Sequence, residues 1–277
     1  MVSLGTNVPP GGGRPGQWFD AIAASPRPAV VDYAADASRV ELSGRVLANW
    51  GAKTANLFDL EGHGPGSTVV LNLPLEWKSL ALMLGAARAG VGVVFAGRAT
   101  AADGSGRDTL PEGAMEVAAD LVVSASPHDW SAHPAELWAV STSELATESS
   151  DQNAELPSHA LDYAAEVQMQ ADQCPLPLPG TDLRELVAAW RDAESNGAES
   201  REPEPDGGTP DSRSSRHERG LVISTAGGAL NQAVAGGAAQ TWQAGLPVVL
   251  VSSELGDAEV ARIVAAERLG PERTAVP

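Results

Sequence analysis

The stretch VISTAGGALNQAVAGGAAQ, residues 222–240, sets Ser224, Thr225, Gly227 and Gly228 directly behind an apolar run. These residue types suit an anion. Glycines let backbone N–H groups approach a phosphate, and the two hydroxyls add donors. A cation would complete such a cradle, but Asn231 and Gln232 follow instead, and no Lys or Arg comes before Arg262. An ordinary strand-to-helix turn is the competing reading of the same residues. The C-terminal ends of parallel strands are where open α/β sheets form ligand crevices. The four residues are therefore the candidate nucleotide or phosphate site, and the choice between cradle and turn depends on the rest of the chain.

Elsewhere the chain offers little chemistry. His63, His128, His133, His159 and His217 show no metal-ligand spacing, and structural or solvent-facing roles are expected for them. The segment ADGSGRD, 102–108, has two aspartates and two glycines but not the ligand order of a calcium loop, so it reads as a solvated turn. There is no G-x-S-x-G elbow, no G-x-x-x-x-G-K-[ST] loop and no strand-linked G-x-G-x-x-G. Cys174 is the sole cysteine, which rules out an internal disulfide, suits a reducing cytoplasm and reads as an inert thiol. No catalytic residue and no metal ligand is assigned.

Composition narrows the partners. A formal net charge of −18 opposes binding to nucleic acid or to an anionic membrane surface, both of which need clustered cations. No stretch approaches the roughly 20 apolar residues of a membrane helix, and the N-terminal residues lack the charged and apolar regions of a signal peptide. A cytoplasmic, acidic protein is expected, and 277 residues suffice for a substantial core.

The elements that would position a site alternate between strand and helix. The 3.6-residue spacing of Leu42, Val46, Leu47, Trp50, Leu57 and Phe58 predicts a helix over Arg39 to Leu60, with Ser38 and Glu41 as a capping box. TVVLNL follows as a strand too apolar to be half exposed, which suits a parallel sheet covered on both faces. Pro74 opens a second helix carrying Trp77, Leu80 and Leu84 on one side, Gly90 caps it, and VGVVFAG is the next strand. This is a βαβ unit. DLVVSAS and LWAV read as further strands, DLRELVAAWRDAE as an amphipathic helix, LVIST and LPVVLVSS as strands, and Asp257 to Leu269 as a closing helix. Trp50, Trp77 and Trp190 fall on apolar faces and read as core. The expected organisation is a disordered lead-in over 1–16, an α/β region over 17–191, a flexible acidic and polar loop over 192–219, and a continuation of the α/β domain over 220–277.

Over residues 38–96 the order of these elements resembles the opening of the adenylate-forming superfamily, the acyl-CoA synthetase-like AMP-binding enzymes. Glu41–Leu42, Gly66, Val69, Leu71, Pro74, Glu76–Trp77 and Ala89–Gly90 carry the likeness. The segment AGLPVVLVSSELGDAEVARIVAAERL resembles a later stretch of the same enzymes, and the likeness is to a short, N-terminal-domain-only branch from GC-rich bacteria. The resemblance implies mostly parallel sheets flanked by helices, as in an acyl-CoA synthetase N-terminal domain. It also places the nucleotide loop about sixty residues before LVIST. There the chain reads AAEVQMQADQCPLPLPGTDLREL, with no glycine before Gly180, no run of hydroxyls and no lysine; Pro175, Pro177 and Pro179 donate no N–H. The family's aromatic-Gly-x-Thr-Glu segment, ribose-binding aspartate and catalytic lysine would all fall beyond Pro277. The expectation is a non-catalytic remnant, a pseudoenzyme acting as a binding or partner module, with no cofactor and a protein partner. The alternative is an acyl- or aminoacyl-adenylating enzyme that uses an atypical phosphate loop, binds ATP or AMP, and is completed by a partner chain.

Overall fold

A computed structural model describes residues 17–97, 99–100, 108–111, 113–141, 155–193, 221–225, 229–252, 254–267 and 273–275. The lead-in 1–16, Gly227 and Gly228 lie outside these, as does the 192–219 segment apart from Asp192 and Ala193. ADGSGRD likewise lies outside them except for Asp108.

Helix α1, Trp18–Ala24, leads into β1, Pro28–Tyr33, which turns back as β2, Arg39–Ser43. This corrects the expected helix start. Residues Arg39–Ser43 form a strand antiparallel to β1, and α2 runs only from Gly44 to Leu60. Val40 and Leu42 satisfy a two-residue period as well as the helical one, and pairing with Asp32 and Val30 decides for the strand. The cap is correspondingly Ser43, whose hydroxyl accepts from the Val46 amide, and not Ser38 with Glu41.

The chain then alternates between strand and helix, with one further correction: of the expected helix DLRELVAAWRDAE only Leu183–Ala188 is helical, and Arg191–Asp192 form a short strand parallel to Val94–Phe95. Strand β3, Thr68–Asn72, is followed by α3, Trp77–Ala89, which ends on Gly90 in the left-handed region at φ 74°, and by β4, Gly92–Phe95. A small antiparallel pair, β5 (Ala99–Thr100) and β6 (Asp108–Thr109), precedes β7, Leu121–Ser124, and β8, Glu136–Ala139. Next come β9, Ala160–Asp162, α4, Tyr163–Gln168, α5, Leu183–Ala188, and β10, Arg191–Asp192. The last part holds β11, Leu221–Thr225, α6, Gln232–Gln243, β12, Val248–Ser252, α7, Asp257–Ala266, and β13, Arg273–Ala275.

These strands build two main sheets. One is six-stranded and wholly parallel, in the order β10-β4-β3-β7-β8-β9. The other runs β13-β11-β12-β1-β2 and is parallel except for β2. The fold is α/β with mostly parallel sheets flanked by helices. Alternate residues of each central strand face opposite sides, and both sides are covered, which is why VVL runs suffice. In the six-stranded sheet Val69, Leu71, Val123 and Trp138 face the helices, while Val70, Val94, Val122 and Leu137 meet Trp130 and Val117 on the other side. In the other sheet Val30, Val248 and Leu250 face α6, and Val249 and Val251 face Val260 and Ile263 of α7. One continuous apolar cluster takes in the inner faces of both sheets and the helices α1 to α6 between them.

Candidate functional site

Ligand crevices in parallel sheets open where neighbouring strands send their connections to opposite faces. Each main sheet has one such point. In the six-stranded sheet β3 leads through α3 to β4, while its neighbour β7 leads through the 3-10 turn Pro127–Trp130 to β8 on the other side. Asn72, the last residue of β3, fills that crevice. Its Oδ1 accepts from Ser124 Oγ at 2.9 Å and from Trp130 Nε1 at 3.2 Å. Its Nδ2 donates to the carbonyls of Ala96 at 3.0 Å and Gly97 at 3.2 Å. All the hydrogen-bonding capacity of the amide is used on the protein itself. The crevice is closed.

In the other sheet the point falls between β11 and β12. The connection from β11 runs through α6 over one face, and that from β12 runs through α7 over the other. Ser224 and Thr225 are the last two residues of β11, opposite Val251 and Ser252 of β12. Sequence reasoning put its candidate site at this exit. The chain re-enters the described residues at Ala229, which pairs with Pro74, and the Leu230 amide donates to the Leu73 carbonyl at 3.0 Å. The path between β11 and α6 thus returns to the loop between β3 and α3, beside the N-termini of two helices.

Both N-termini hold protein acids. Asp32, near the end of β1, accepts the Trp77 amide of α3 on Oδ2 at 2.9 Å. Asp192, in β10, accepts the Gln232 amide of α6 on Oδ1 at 2.9 Å. The Asn231 side chain accepts the Val234 amide, also at 2.9 Å. A helix N-terminus attracts an anion through its unpaired N–H groups and its dipole. Here aspartates already supply that negative charge, and a phosphate arriving at either end would meet them. Neither aspartate was singled out from the sequence. The available signal was an acid directly after the apolar run of β1 and another two residues past Trp190.

A second recess lies against the helices. Trp50, Trp77, Lys78, Val140, Ser141 and Tyr163 are among its lining residues, and it holds a cavity of roughly 30 Å³, room for one or two waters. The Trp50 and Trp77 rings meet edge-on at 5.4 Å, and Lys78 Nζ donates to the Ser141 carbonyl at 2.8 Å. Tyr163 shares a 2.7 Å hydrogen bond with Thr54, and burial raises its phenol above the ordinary range. Trp77 and Trp190 are core residues, as read, while Trp50 is half-buried against this recess.

Three of the histidines bond within the fold. His63 Nε2 lies 3.0 Å from Glu136, His133 bonds the Val117 carbonyl and the Ala135 amide, and His128 bonds the Glu155 carbonyl. Among the described residues no three His, Cys, Asp or Glu side chains gather as a metal site. No helix among them is long and apolar enough to cross a membrane.

The segment 164–186, where the resemblance puts a nucleotide loop, has no strand-to-glycine-loop geometry. It is α4 from its second residue on, an irregular run through Pro175, Pro177 and Pro179, and the start of α5.

No protein-family model matches the chain. Over 58 residues, 20% of this chain and 24% of the other, it is 45% identical to the TIGR03089 family protein of Mycobacterium tuberculosis. Among solved structures, an acyl-CoA synthetase of Brucella canis superposes with a TM-score of 0.61 at 16% identity, over 91% of this chain and 45% of that one. The amide bond synthetase McbA of Marinactinospora thermotolerans gives 0.52 at 17%, over 93% and 47%. The N-terminal subdomain of Klebsiella oxytoca NpsA gives 0.51 at 14%, over 92% and 59%. The fold is therefore that of the N-terminal part of acyl-CoA synthetases and other adenylate-forming enzymes. The chain spans about half the length of these neighbours.

Proposed function

We propose that the chain is a binding module on the N-terminal-domain scaffold of adenylate-forming enzymes, serving a protein partner in the cytoplasm and forming no adenylate. The carrying observation is the pair Asp32 and Asp192, which occupy the N-termini of α3 and α6 beside the β11 exit. Adenylation needs donors and cations aimed at the charge that develops on phosphate in the transition state. Two carboxylates at those positions work against it, and the net charge of −18 repels nucleotides at long range.

Pyrophosphate exchange into ATP, measured over a broad panel of carboxylic acids, tests this reading. No exchange is expected with any of them. Robust exchange that depends on one acid overturns it. A thermal-shift titration with ATP and a nonhydrolysable acyl-adenylate gives a second readout, because ligand at about a hundred times Kd stabilises a specific binder by roughly 2.7 kcal/mol.

One observation favours the other reading, an adenylating enzyme with an atypical phosphate loop completed by a partner chain. Ser224 and Thr225 stand at the switch point between β11 and β12. On that reading Ser224, Thr225, Gly227 and Gly228 would cradle the phosphates of ATP or AMP.

A further inference from the structure

Strand β2, Arg39–Ser43, ends the sheet β13-β11-β12-β1-β2, and among the described residues nothing pairs with its outer edge. Which of its groups point there follows from the register. The Ala34 amide donates to the Ser38 carbonyl at 3.0 Å, and in the same register Asp32 faces Val40 and Val30 faces Leu42. Hydrogen-bonded pairs alternate along an antiparallel ladder, so Ser38, Val40 and Leu42 bond inward to β1. Arg39 and Glu41 turn their amides and carbonyls outward, where no group of the described residues meets them. An open edge of this kind is a template for another strand.

The side chains of β2 say which strand fits. Val40 and Leu42 pack half-buried against the core, and Arg39 and Glu41 stand exposed on the opposite face. A run of one charge sign would repel any copy of itself, which is how many native edges are kept apart. Here the two signs alternate along one face instead. Arg39 Nη2 donates to Glu41 of its own strand at 2.5 Å, and Nε lies 3.0 Å from Glu267 and 3.1 Å from the Tyr33 hydroxyl. These bonds hold the guanidinium on the outer face beside the open edge. Its Nη1 makes no bond among the described residues, so an Arg39 donor remains for a further carboxylate.

We propose that β2 pairs with β2 of a second copy of this chain, antiparallel about a two-fold axis at Val40. In that register Arg39 of each copy faces Glu41 of the other, and the outward amides and carbonyls of both residues bond each other. Val40 faces Val40 in a close, non-hydrogen-bonded pair, as its inward bonding to β1 requires. Centring the axis on Glu41 or on Arg39 would set like charges directly opposite, which destabilises a pair. A two-fold contact needs a self-complementary edge, and the order Arg-Val-Glu supplies one. The interface is one strand edge, in the size range of transient complexes, so association belongs to high protein concentration. The inference goes beyond the proposed function and does not rest on it, because β2 lies at the end of the sheet, with β12 and β1 between it and β11.

The net charge of −18 opposes self-association at long range, so the test is made at about 0.15 M salt, where the Debye length is about 8 Å. Sedimentation equilibrium of the full chain should show its average mass rising from that of the monomer at about 10 μM toward twice that at about 1 mM. Glu41→Arg should stay monomeric across this range, and so should Arg39→Glu. Mixed in equal amounts, the two variants restore opposite charges across the axis, and the mixture should associate at least about tenfold more tightly than either variant alone. Amide exchange on the unaltered chain needs no substitution and decides the matter even if a variant fails to fold. The Arg39 and Glu41 amides should exchange at least about threefold more slowly at the higher concentration, while those of Val40 and Leu42, already bonded to β1, should not change. No rise in mass at about 1 mM, association indifferent to Glu41→Arg, or unaltered exchange at Arg39 and Glu41 overturns the proposal.

Discussion

The carboxylate of Asp32 accepts the backbone amide of Trp77 at 2.9 Å, joining the end of a strand in one sheet to the first turn of a helix that packs on the other. No side chain at the Glu76 N-cap position bonds its own helix N-terminus, so the cap comes from 45 residues away. The contact therefore stabilises tertiary structure as well as α3. Asp32→Ala should lower the unfolding free energy by about 1–2 kcal/mol, the upper part of the range for losing a cap. Asp32→Asn, which keeps an acceptor, should lose less. Urea unfolding with an unchanged m-value checks both, and an effect of Asp32→Ala below about 0.3 kcal/mol would leave the carboxylate without a structural role.

Two helical glycines should respond in opposite ways to the same substitution. A methyl group at Gly85 in α3 would stand 2.4 Å from Thr54 Cβ and 2.5 Å from its Cγ2, where α2 and α3 touch. Helix propensity favours alanine by about 1 kcal/mol, but overpacking a tight contact costs typically about 1–3 kcal/mol. Thr54 is fully buried and bonded to Tyr163 and to the Trp50 carbonyl, so it cannot withdraw. Gly85→Ala should destabilise. At Gly236 in α6 a methyl group meets nothing within 4 Å, and Gly236→Ala should stabilise by about 0.5–1 kcal/mol. Differential scanning calorimetry showing both variants moving the same way would refute the packing account.

The parts of this fold that were legible in the sequence are those whose signal is local. Apolar runs such as LVVS and VVLVS report burial on both faces wherever the sheet places them, and Gly90 marks the end of α3 by its own backbone. The strand Arg39–Ser43 was not legible, because a five-residue segment with Val40 and Leu42 fits two periods and only its pairing with β1 decides. Helix α6 was given no bounds for a different reason. Its inward face is made of Val234, Ala235, Ala238 and Ala239, small residues that leave a weak period beside Gly236 and Gly237. The acids at the helix N-termini, and Arg88 and Trp18 in donating to the carbonyls of Pro177 and Thr181, act across 40 to 163 residues, a separation that periodicity cannot see.

Alkaline pH should unfold the protein through its tyrosines. Burial raises the Tyr163 phenol above its ordinary value of 10.0, and burial with the Glu267 hydrogen bond raises that of Tyr33 in the same direction. For a phenol, a raised folded-state pKa means that the unfolded chain loses its proton first. The contribution is whole below about pH 10 and is lost as pH climbs from there through the folded value. Each buried phenol that stays protonated contributes a slope of at most about 1.4 kcal/mol per pH unit. Tyr163→Phe should remove its share of that slope at a cost, near pH 7, of about 1 kcal/mol for the lost bond to Thr54. Stability measured by urea at pH 7, 10 and 11 reads the slope. An identical pH profile for the parent and Tyr163→Phe would discard the assignment.

The segment after β11 decides how much of a nucleotide site the scaffold keeps. In its favour are the position of Ser224 and Thr225 at the switch point and the presence of Gly227 and Gly228 next in the sequence, residues that would let amides approach an anion. Against it stand Asp32 and Asp192, each within hydrogen-bond distance of a helix N-terminal amide, and the lack of a Lys or Arg before Arg262. A phosphate carries about two negative charges at neutral pH, so at low dielectric the repulsion from two fixed carboxylates outweighs what neutral N–H donors contribute. The expected outcome of calorimetric titration with ATP, AMP and coenzyme A is therefore no heat of specific binding to any of the three. The same titrations on a chain carrying Gly227→Ala and Gly228→Ala give the control. If the unaltered chain binds a nucleotide and the double variant does not, the turn is a phosphate loop and the carboxylates have been given too much weight. If both bind equally, the ligand sits elsewhere, and the recess between Trp50 and Trp77 becomes the place to look.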